Sequence, residues 1–282
     1  MLTKDTIGKE IEFLEQSKDL CLSYEQISMM RMKTIKNGVL TTRDFYADVA
    51  DVYYKVKSTY KKQILLLEKK KIREQKRKLS VFLSADNKLY GDILNKVFHL
   101  FVSDIKKEET DIIIVGSLGK HMFDTADVGK KYTYMSLPHA DSELTLEDLK
   151  EVAVQLAHYE NIDIYFGQYE SYVNQKAMCM NITGEALFGE EKPENKSSLY
   201  YFEPSLEKIA AFFEVQMVSA LFKQSVYEGQ LARYASRIGS MEEALHAIKK
   251  ESIVREMQKR KMLSQERDKK QNERIVQLFY MN

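Results

Sequence analysis

The stretch LEKIAAFFEVQMVSALFKQSVYEGQLARYASRIGSMEEALHAI, residues 206–248, decides the fold of this chain. Its apolar positions follow one another in alternating steps of four and three residues without a slip, and Gln224 is the one fully polar side chain among them. A heptad pattern of this length predicts the seam of a coiled coil rather than a core helix of period 3.6. The predicted seam is carried above all by Phe213, Met217, Leu231, Tyr234, Ile238 and Leu245.

The N-terminal flank, residues 1–78, supplies the candidate partner helix. Like residues 205–282, it contains no proline, since all three prolines lie between 138 and 204. Proline in a helix interior costs about 3 kcal/mol, so its absence permits long helices in both flanks. Apolar residues at three- and four-residue steps predict one stripe with stutters between three sets. The sets are Ile7, Ile11, Leu14; Leu20, Tyr24, Ile27, Met30; and Phe45, Val49, Val52, Val56.

The middle of the chain has the pattern of an α/β domain. Buried strands are predicted at 79–85 and 111–115 with a helix over 88–108 between them, its Leu89, Ile93, Val97 and Leu100 facing inward. Alternation of strand and helix at this spacing predicts βαβ units and a largely parallel sheet. The chain therefore divides into helical residues 1–78, an α/β domain at 79–200 and helical residues 201–282. Further elements are predicted as strands at 132–136, 162–169 and 176–182, a helix from Thr145 to Tyr159, and a loop at 184–198.

Composition limits the class of protein. The 43 basic and 42 acidic residues leave a net charge of +1, which argues against a dedicated nucleic-acid binder. Two cysteines, Cys21 and Cys179, form no metal-type or disulfide framework and fit a reducing compartment. The first residues, MLTKDTIGKE, have no apolar signal region, so no targeting segment is expected, and no run approaches the length of ~18 apolar residues that a membrane span needs.

The stretch VGSLGK at 115–120 follows a strand and has the character of a phosphate-binding turn. It is two residues shorter than a Walker A loop, with His121 in place of Ser or Thr, so a tight strand-to-helix turn is favoured. The pair Asp86 and Asp92 could hold a metal or act as acid and base, but capping of the following helix is favoured. The five histidines lack the spacing of a zinc site. The sequence thus predicts no catalytic, cofactor-binding or metal site.

Residues 249–274 change character, because ten Lys/Arg and five Asp/Glu replace the apolar seam. The next two seam positions are Ser252 and Arg255, so the seam is expected to fail beyond Ile248. This tail either enters a partner cavity that tolerates positive charge or is a solvated helix end, and the sequence leaves both open.

Four stretches together resemble the gamma subunit of the rotary F-type ATP synthase. RIGSMEEA at 237–244 resembles that family's R-M-x-A-M-x-x-A, and YFEPSLE at 201–207 resembles its Y-E-P-x-x-E. VGSLGKHMF at 115–123 resembles V-G-x-K-G-x-x-F. The apolar residues of the first helix fall where the family has its own, namely Ile7, Ile11, Leu14, Leu20, Tyr24, Ile27 and Met32. The family's S-D-R-G-L-C-G-G-L is only ADNKLYGD here, at 85–92, so the resemblance is to a divergent member.

The resemblance implies an antiparallel coiled coil of the two terminal helices with a Rossmann-like domain between them. It also implies a non-catalytic rotor in the central stalk, which couples proton flow through a membrane ring to ATP synthesis or hydrolysis. Implied partners are the alpha and beta subunits of the F1 sector, the epsilon subunit and the c-ring. The chain would be present in one copy, peripheral on the cytoplasmic face of the cell membrane, with no cofactor. By resemblance, Tyr24, Arg237 and Met241 occupy positions where the family touches its catalytic ring; Arg237 would pair with a ring carboxylate there, or else lie solvated on the flank of the coiled coil.

Two other classes stay open at this point. One is a coiled-coil rotor or adaptor of an ATPase that is not an ATP synthase, such as a motility or secretion motor. The other is a small nucleotide-dependent enzyme with helical arms, against which the missing phosphate-loop motifs weigh.

Overall fold

The computed structural model describes residues 4–59, 78–136, 152, 156, 159, 161–183 and 206–280. Two long helices lie at the ends of the chain, α1 at Lys4–Thr59 and α4 at Leu206–Tyr280. Five strands and two short helices lie between them: β1 at Lys78–Leu83, α2 at Ile93–Ile105, β2 at Asp111–Val115, α3 at Ser117–Thr125, β3 at Thr133–Met135, β4 at Asn161–Tyr169 and β5 at Gln175–Asn181. The predicted fold class, long helices joined to an α/β domain, is confirmed.

The five strands form one mixed sheet in the order β3-β2-β1-β4-β5. β1 pairs in parallel with β2 and β4, and β2 pairs in parallel with β3, whereas β5 runs antiparallel to β4. Crossover helices join parallel strands, as the βαβ pattern predicted. The helix expected from Thr145 to Tyr159 lies outside the described residues except for positions 152, 156 and 159, and the loop expected at 184–198 lies wholly outside them.

The two faces of the sheet bury different sets of side chains. One face, with Val81, Ile164 and Phe166, packs with residues of α4 such as Leu221 and Phe222 in a single apolar cluster. The opposite face carries an aromatic cluster with α2 and α3: Phe82 stacks on Phe101, and Phe101 meets Tyr165 and Phe123. Inward-facing residues alternate along each strand, so each face is buried by a different layer of helix.

The chain separates into two compact units. The helix-pair unit consists of Met1–Ser28 with Arg237–Asn282, and the sheet unit is Met29–Ser236. These limits differ from the sequence boundaries at 78/79 and 200/201, because residues 29–59 of α1 and 206–236 of α4 belong with the sheet.

The stripe that α1 buries differs from the predicted one. Ile7 is 1% exposed, but Leu20, Ile27 and Met30 are 56%, 48% and 71% exposed, and Phe45 and Val52 are exposed as well. The buried stripe instead continues at steps of three and four through small and polar residues. In the helix-pair unit it runs through Ile7, Ile11, Leu14, Ser17, Cys21, Tyr24 and Ser28, and in the sheet unit through Met32, Ile35, Val39, Thr42, Tyr46 and Val49.

Hydroxyl groups fit in this stripe because they bond to the helix itself. Ser28 Oγ donates to the Tyr24 carbonyl at 2.7 Å, and Thr42 Oγ1 donates to the Gly38 carbonyl at 2.8 Å. Such bonds to the carbonyl four residues earlier satisfy a buried hydroxyl without a partner on another helix. The stutters expected from apolar residues alone are therefore wrong: the stripe is continuous.

The helix predicted at 88–108 is shorter, Ile93–Ile105. Leu89 and Gly91 have φ angles of 69° and 60°, in the left-handed region that an α-helix cannot contain. Leu89, predicted to face inward, is 51% exposed, whereas Ile93 and Val97 are buried as expected.

Candidate functional site

The helix-pair unit is built by α1 and α4 running in opposite directions. Contacts between the two helices pair rising residue numbers on α1 with falling numbers on α4. They are Lys4 with Glu266 at 3.9 Å, Glu10 with Arg255 at 3.2 Å, and Tyr24 with Arg237, whose guanidinium carbon lies 5.6 Å from the centre of the ring. Antiparallel packing is thus a property of this unit. In the sheet unit, Gly38 on α1 likewise lies against Tyr227 on α4.

Tyr24, Arg237 and Met241, the three residues expected to touch a catalytic ring, lie together in the helix-pair unit. Arg237 is 6% exposed and Met241 is 7% exposed, while Tyr24 is half-buried. A guanidinium over a tyrosine ring gains up to about 2 kcal/mol when water is excluded. Arg237 therefore helps to fix α1 against α4, and its aliphatic stem is buried with the ring.

The predicted seam residues on α4 differ in burial along the helix. Met217, Leu231 and Tyr234 in the sheet unit are 0%, 6% and 3% exposed, and Phe213 is half-buried. In the helix-pair unit, Ile238 is 6% exposed and Leu245 is half-buried.

Beyond Ile248, the two helices stay in contact through polar groups, so the expectation that the seam fails there holds only for its apolar part. Ser252 and Arg255, at the next seam positions, are half-buried. Arg255 forms an ion pair with Glu10 across the two helices and another with Glu251, at 2.8 Å, within α4. Charged residues can hold this contact because their stems pack and their ends pair. From residue 264 to 277, every side chain of α4 is exposed.

The outer face of the helix-pair unit exposes apolar side chains. Phe13, Leu20 and Ile27 recur every seven residues on α1 and are 69%, 56% and 48% exposed. On α4, Ile253 and Met257 are 49% and 65% exposed. We call these five residues the outer apolar set. Sequence reasoning placed Leu20 and Ile27 in the seam; the regular continuation of Ile7, Ile11 and Leu14 through Ser17, Cys21 and Ser28 is the signal that would have placed them outside.

The turn after β2 holds no site for an external anion, because the chain fills that position itself. The Ser117 amide, at the start of α3, donates to Asp86 Oδ1 at 2.7 Å, and the Leu118 amide donates to the Ala85 carbonyl at 2.9 Å. Gly116 has a φ of 94°, and a β-carbon there would lie 2.8 Å from the Ala85 backbone nitrogen. VGSLGK is therefore the tight strand-to-helix turn that the sequence favoured, with a carboxylate already at the positive end of the helix.

Asp86 and Asp92 do not act as predicted. Asp86 was expected to cap the next helix, α2, but it caps α3, thirty-one residues away in sequence. Asp92 precedes α2 without a side-chain capping bond and pairs instead with Lys96 at 2.8 Å. Among the residues that the structure describes, no group of three or more His, Cys, Asp and Glu side chains could hold a metal ion.

One open cavity of about 500 Å³ lies in the sheet unit, between α1, β5 and α4. Its lining is mainly apolar: Tyr46, Met178, Cys179, Met180, Asn181, Leu221 and Gln224. Burial raises the pKa of the Cys179 thiol to about 11, although a hydrogen bond with Tyr165 acts in the opposite direction. Burial and the neighbouring Cys179 likewise raise the pKa of Tyr165. Neither group is poised to act as a nucleophile or base near neutral pH.

One unit pairs the two terminal helices antiparallel, and the other contains a mostly parallel α/β sheet, which together define the class of proteins with a coiled coil and an α/β domain. Comparison with known proteins gives the family. The family model described as ATP synthase matches residues 4–269, which include β1 to β5, all of α1 and most of α4. The chain belongs to the ATP synthase gamma family.

Two relatives illustrate the distance within the family. The chain is 22% identical over 255 residues to the ATP synthase gamma chain of Staphylococcus epidermidis, covering 86% of this chain and 87% of that one. It is 22% identical over 180 residues to the gamma chain of Staphylococcus haemolyticus, covering 61% and 62%.

Solved structures share the fold. A chain in the mitochondrial ATP synthase of Euglena gracilis, solved with OSCP, F1 and the c-ring, superposes with a TM-score of 0.58 at 15% identity, covering 97% of this chain and 95% of that one. A chain from the central stalk and c-ring of the Tetrahymena thermophila mitochondrial enzyme gives 0.56 at 16% identity, covering 80% and 99%. Within the described residues, no helix combines the length and the apolar character that crossing a bilayer requires.

Proposed function

We propose that this chain is the central-stalk rotor, the gamma subunit, of an F-type ATP synthase. It couples proton flow through a membrane ring to ATP synthesis or hydrolysis at the surrounding catalytic subunits. The observation that carries the proposal is the family match over residues 4–269, because one continuous match includes α1, the sheet and most of α4. The chain catalyses no step itself.

The coupling works through differential binding. A ligand or partner shifts a conformational equilibrium only by the difference in its affinity for the two states. The surface of the helix-pair unit is not uniform, because α1 exposes Phe13, Leu20 and Ile27 whereas α4 exposes a charged stretch from Arg267 to Arg274. Each surrounding catalytic subunit therefore meets a different face, and rotation moves the bias from one catalytic site to the next.

We place the contact with the catalytic ring at the part of the helix-pair unit that contains Tyr24, Arg237 and Met241. In this proposal Arg237 packs over the Tyr24 ring and also pairs with a carboxylate of the catalytic subunits. The outer apolar set provides the adjoining non-polar contact.

The partners in this proposal are the alpha, beta and epsilon subunits and the c-ring, with one copy of this chain in each complex. The sheet unit docks on the epsilon subunit and the c-ring at the foot of the stalk, and needs no nucleotide because Asp86 occupies the start of α3. We place the chain at the cytoplasmic face of the cell membrane as a peripheral subunit. No nucleic acid and no cofactor takes part.

Purification of the tagged full chain from its own cells tests this proposal. We expect stoichiometric recovery of nucleotide-hydrolysing subunits together with membrane-ring subunits, and one copy of this chain per complex. Recovery of the hydrolysing subunits without a proton-conducting ring would favour the alternative, an adaptor of another ATPase, for which the relatives and the geometry offer no specific observation. Recovery of neither would refute the rotor assignment.

A variant of Arg237 tests the contact residues. Arg237→Ala should leave the chain folded and assembled but lower the number of protons pumped per ATP hydrolysed. Arg260→Ala is the matched control, because Arg260 is 83% exposed on the same helix and only approaches Glu256. Unchanged pumping in Arg237→Ala would remove Arg237 from the proposed contact.

A further inference from the structure

One segment of α4 in the sheet unit is enclosed on all sides. Every residue from 225 to 236 is buried. Tyr227 lies against Gly38 of α1, Gly229 lies near Phe166 of β4, and Tyr234 meets Tyr90 of the β1–α2 loop. A helix that is buried all round has no solvent side to define its rotation about its own axis, so something else must set that angle.

Polar side chains inside this enclosure can set it. The buried polar residues of the segment are Ser225, Glu228, Gln230, Arg233 and Ser236. Arg233 is 3% exposed, and its guanidinium carbon lies 5.8 Å from the centre of the Tyr90 ring. Apolar side chains repack with modest loss when a helix turns, whereas a buried charge is tolerated only where its partners are in place. A polar group at a buried helical position is the best-attested device for fixing register.

The β1–α2 loop is shaped to hold Tyr90 in position. Leu89 and Gly91, on either side of Tyr90, both have left-handed backbone, which is strained for leucine. At the start of the loop, Asp86 is tied to the Ser117 amide. Tyr90 itself is 3% exposed and packs edge-on against Tyr234 at 6.0 Å.

We propose that the contact between Arg233 and Tyr90 fixes the rotation of α4 about its own axis relative to the sheet. We call this residue pair the angular lock. Arg233 is a positioning residue, because it holds α4 at one rotation about its own axis relative to the sheet. Torque then passes between the sheet and α4 without α4 turning against the sheet. The effect of this lock on torque rests on the proposed rotor function. The contact itself can be tested in the isolated chain.

A double-mutant cycle on the isolated full chain tests the lock itself. The changes are Arg233→Met and Tyr90→Leu, with the folding equilibrium measured by urea unfolding. We expect the two residues to be coupled by about thirtyfold in that equilibrium constant, as for a desolvated cation over an aromatic ring. Tyr90→Phe, which keeps the ring, should retain the coupling. Additive effects of Arg233→Met and Tyr90→Leu would overturn the proposal.

Proton pumping per ATP hydrolysed in the assembled complex tests the consequence. Arg233→Met should hydrolyse ATP but pump fewer protons per ATP, and Arg233→Lys should restore much of the ratio, since an ammonium also binds over an aromatic ring. Arg260→Met, exposed on the same helix, should match the wild type. An unchanged ratio in Arg233→Met, or the same loss in Arg260→Met, would overturn the role of the lock. A wild-type complex that hydrolyses ATP without pumping would instead refute the proposed function, and the cycle on the isolated chain would still decide the lock.

Discussion

Tyr227 of α4 packs directly over Gly38 of α1, so closely that a β-carbon at Gly38 would lie 3.3 Å from the Cε2 atom of the ring. Glycine at this position lets the two helices approach while a large aromatic ring fills the seam. The helix continues through Gly38 despite the low helix propensity of glycine. Close packing, rather than backbone freedom, therefore explains this glycine.

Gly38→Val should destabilise the chain by about 1–3 kcal/mol, because the added methyl groups overpack the contact with Tyr227. The matched control is Gly239→Ala on α4, where a β-carbon meets no atom within 4 Å. That change should stabilise the chain by about 0.5–1 kcal/mol through helix propensity alone. Urea unfolding of both variants measures the sign of the change in the free energy of unfolding. Destabilisation by Gly239→Ala, or none by Gly38→Val, would contradict this account of the packing.

Leu231→Asp should cost about 4 kcal/mol or more, because it places an unpaired carboxylate at a seam position that is 6% exposed. Leu20→Asp makes the same chemical change at a residue that is 56% exposed, and we expect an effect within about 0.5 kcal/mol. Thermal unfolding of the isolated chain compares the two. A large loss at Leu20 would support the apolar stripe expected from the sequence and would contradict the register of α1 in the structure.

The two long helices show why sequence patterns predicted one seam and misplaced the other. On α4, the seam positions from Met217 to Met241 are all apolar except Gln224, so their spacing alone predicted that they are buried, although it did not predict that residues 225–236 are buried on every side. On α1, serine, cysteine and threonine occupy several buried positions, while phenylalanine and leucine lie outside. For part of α1, the spacing of the large hydrophobic residues therefore follows the exposed face of the helix and not the buried one. Hydroxyl groups that bond within their own helix remove the penalty that the sequence argument assumes for a buried polar residue.

The sheet was more predictable than the contacts that surround it. All five strands lie within a few residues of their predicted places. Short runs of β-branched and aromatic residues mark β1 to β4 locally, whereas β5, with the sequence QKAMCMN, contains neither. The capping of α3 by Asp86 and the stacking of Arg233 on Tyr90 join residues that are distant in sequence. Nothing in local spacing indicates such pairs, because the fold brings them together only after the sheet and α4 have packed.

Asp86→Ala should destabilise the chain by about 1–2 kcal/mol, because the Ser117 amide loses its acceptor and the start of α3 loses a negative charge. Asp92→Ala serves as the control. Asp92 makes no side-chain capping bond, and its pair with Lys96 is solvent-exposed, so we expect a loss below about 0.5 kcal/mol. Urea unfolding of the two variants compares their losses in the free energy of unfolding. Equal losses would mean that the two aspartates have the same capping role.

Cys179 should resist alkylation in the folded chain. Its pKa is raised by burial from 9.0 to about 11, so at pH 8 the reactive thiolate is about 100-fold scarcer than for an unperturbed thiol. A Cys21→Ser variant, which leaves Cys179 as the one thiol, should therefore react with iodoacetamide at least about 100-fold more slowly when folded than in urea. Between pH 9 and 11 the unfolded chain loses this proton while the folded chain keeps it, so Cys179 makes stability fall as pH rises, and Cys179→Ser should remove that part of the fall. Equal alkylation rates in the folded and unfolded chain would show that folding does not raise the pKa of this thiol, and would contradict its partial burial beside Tyr165.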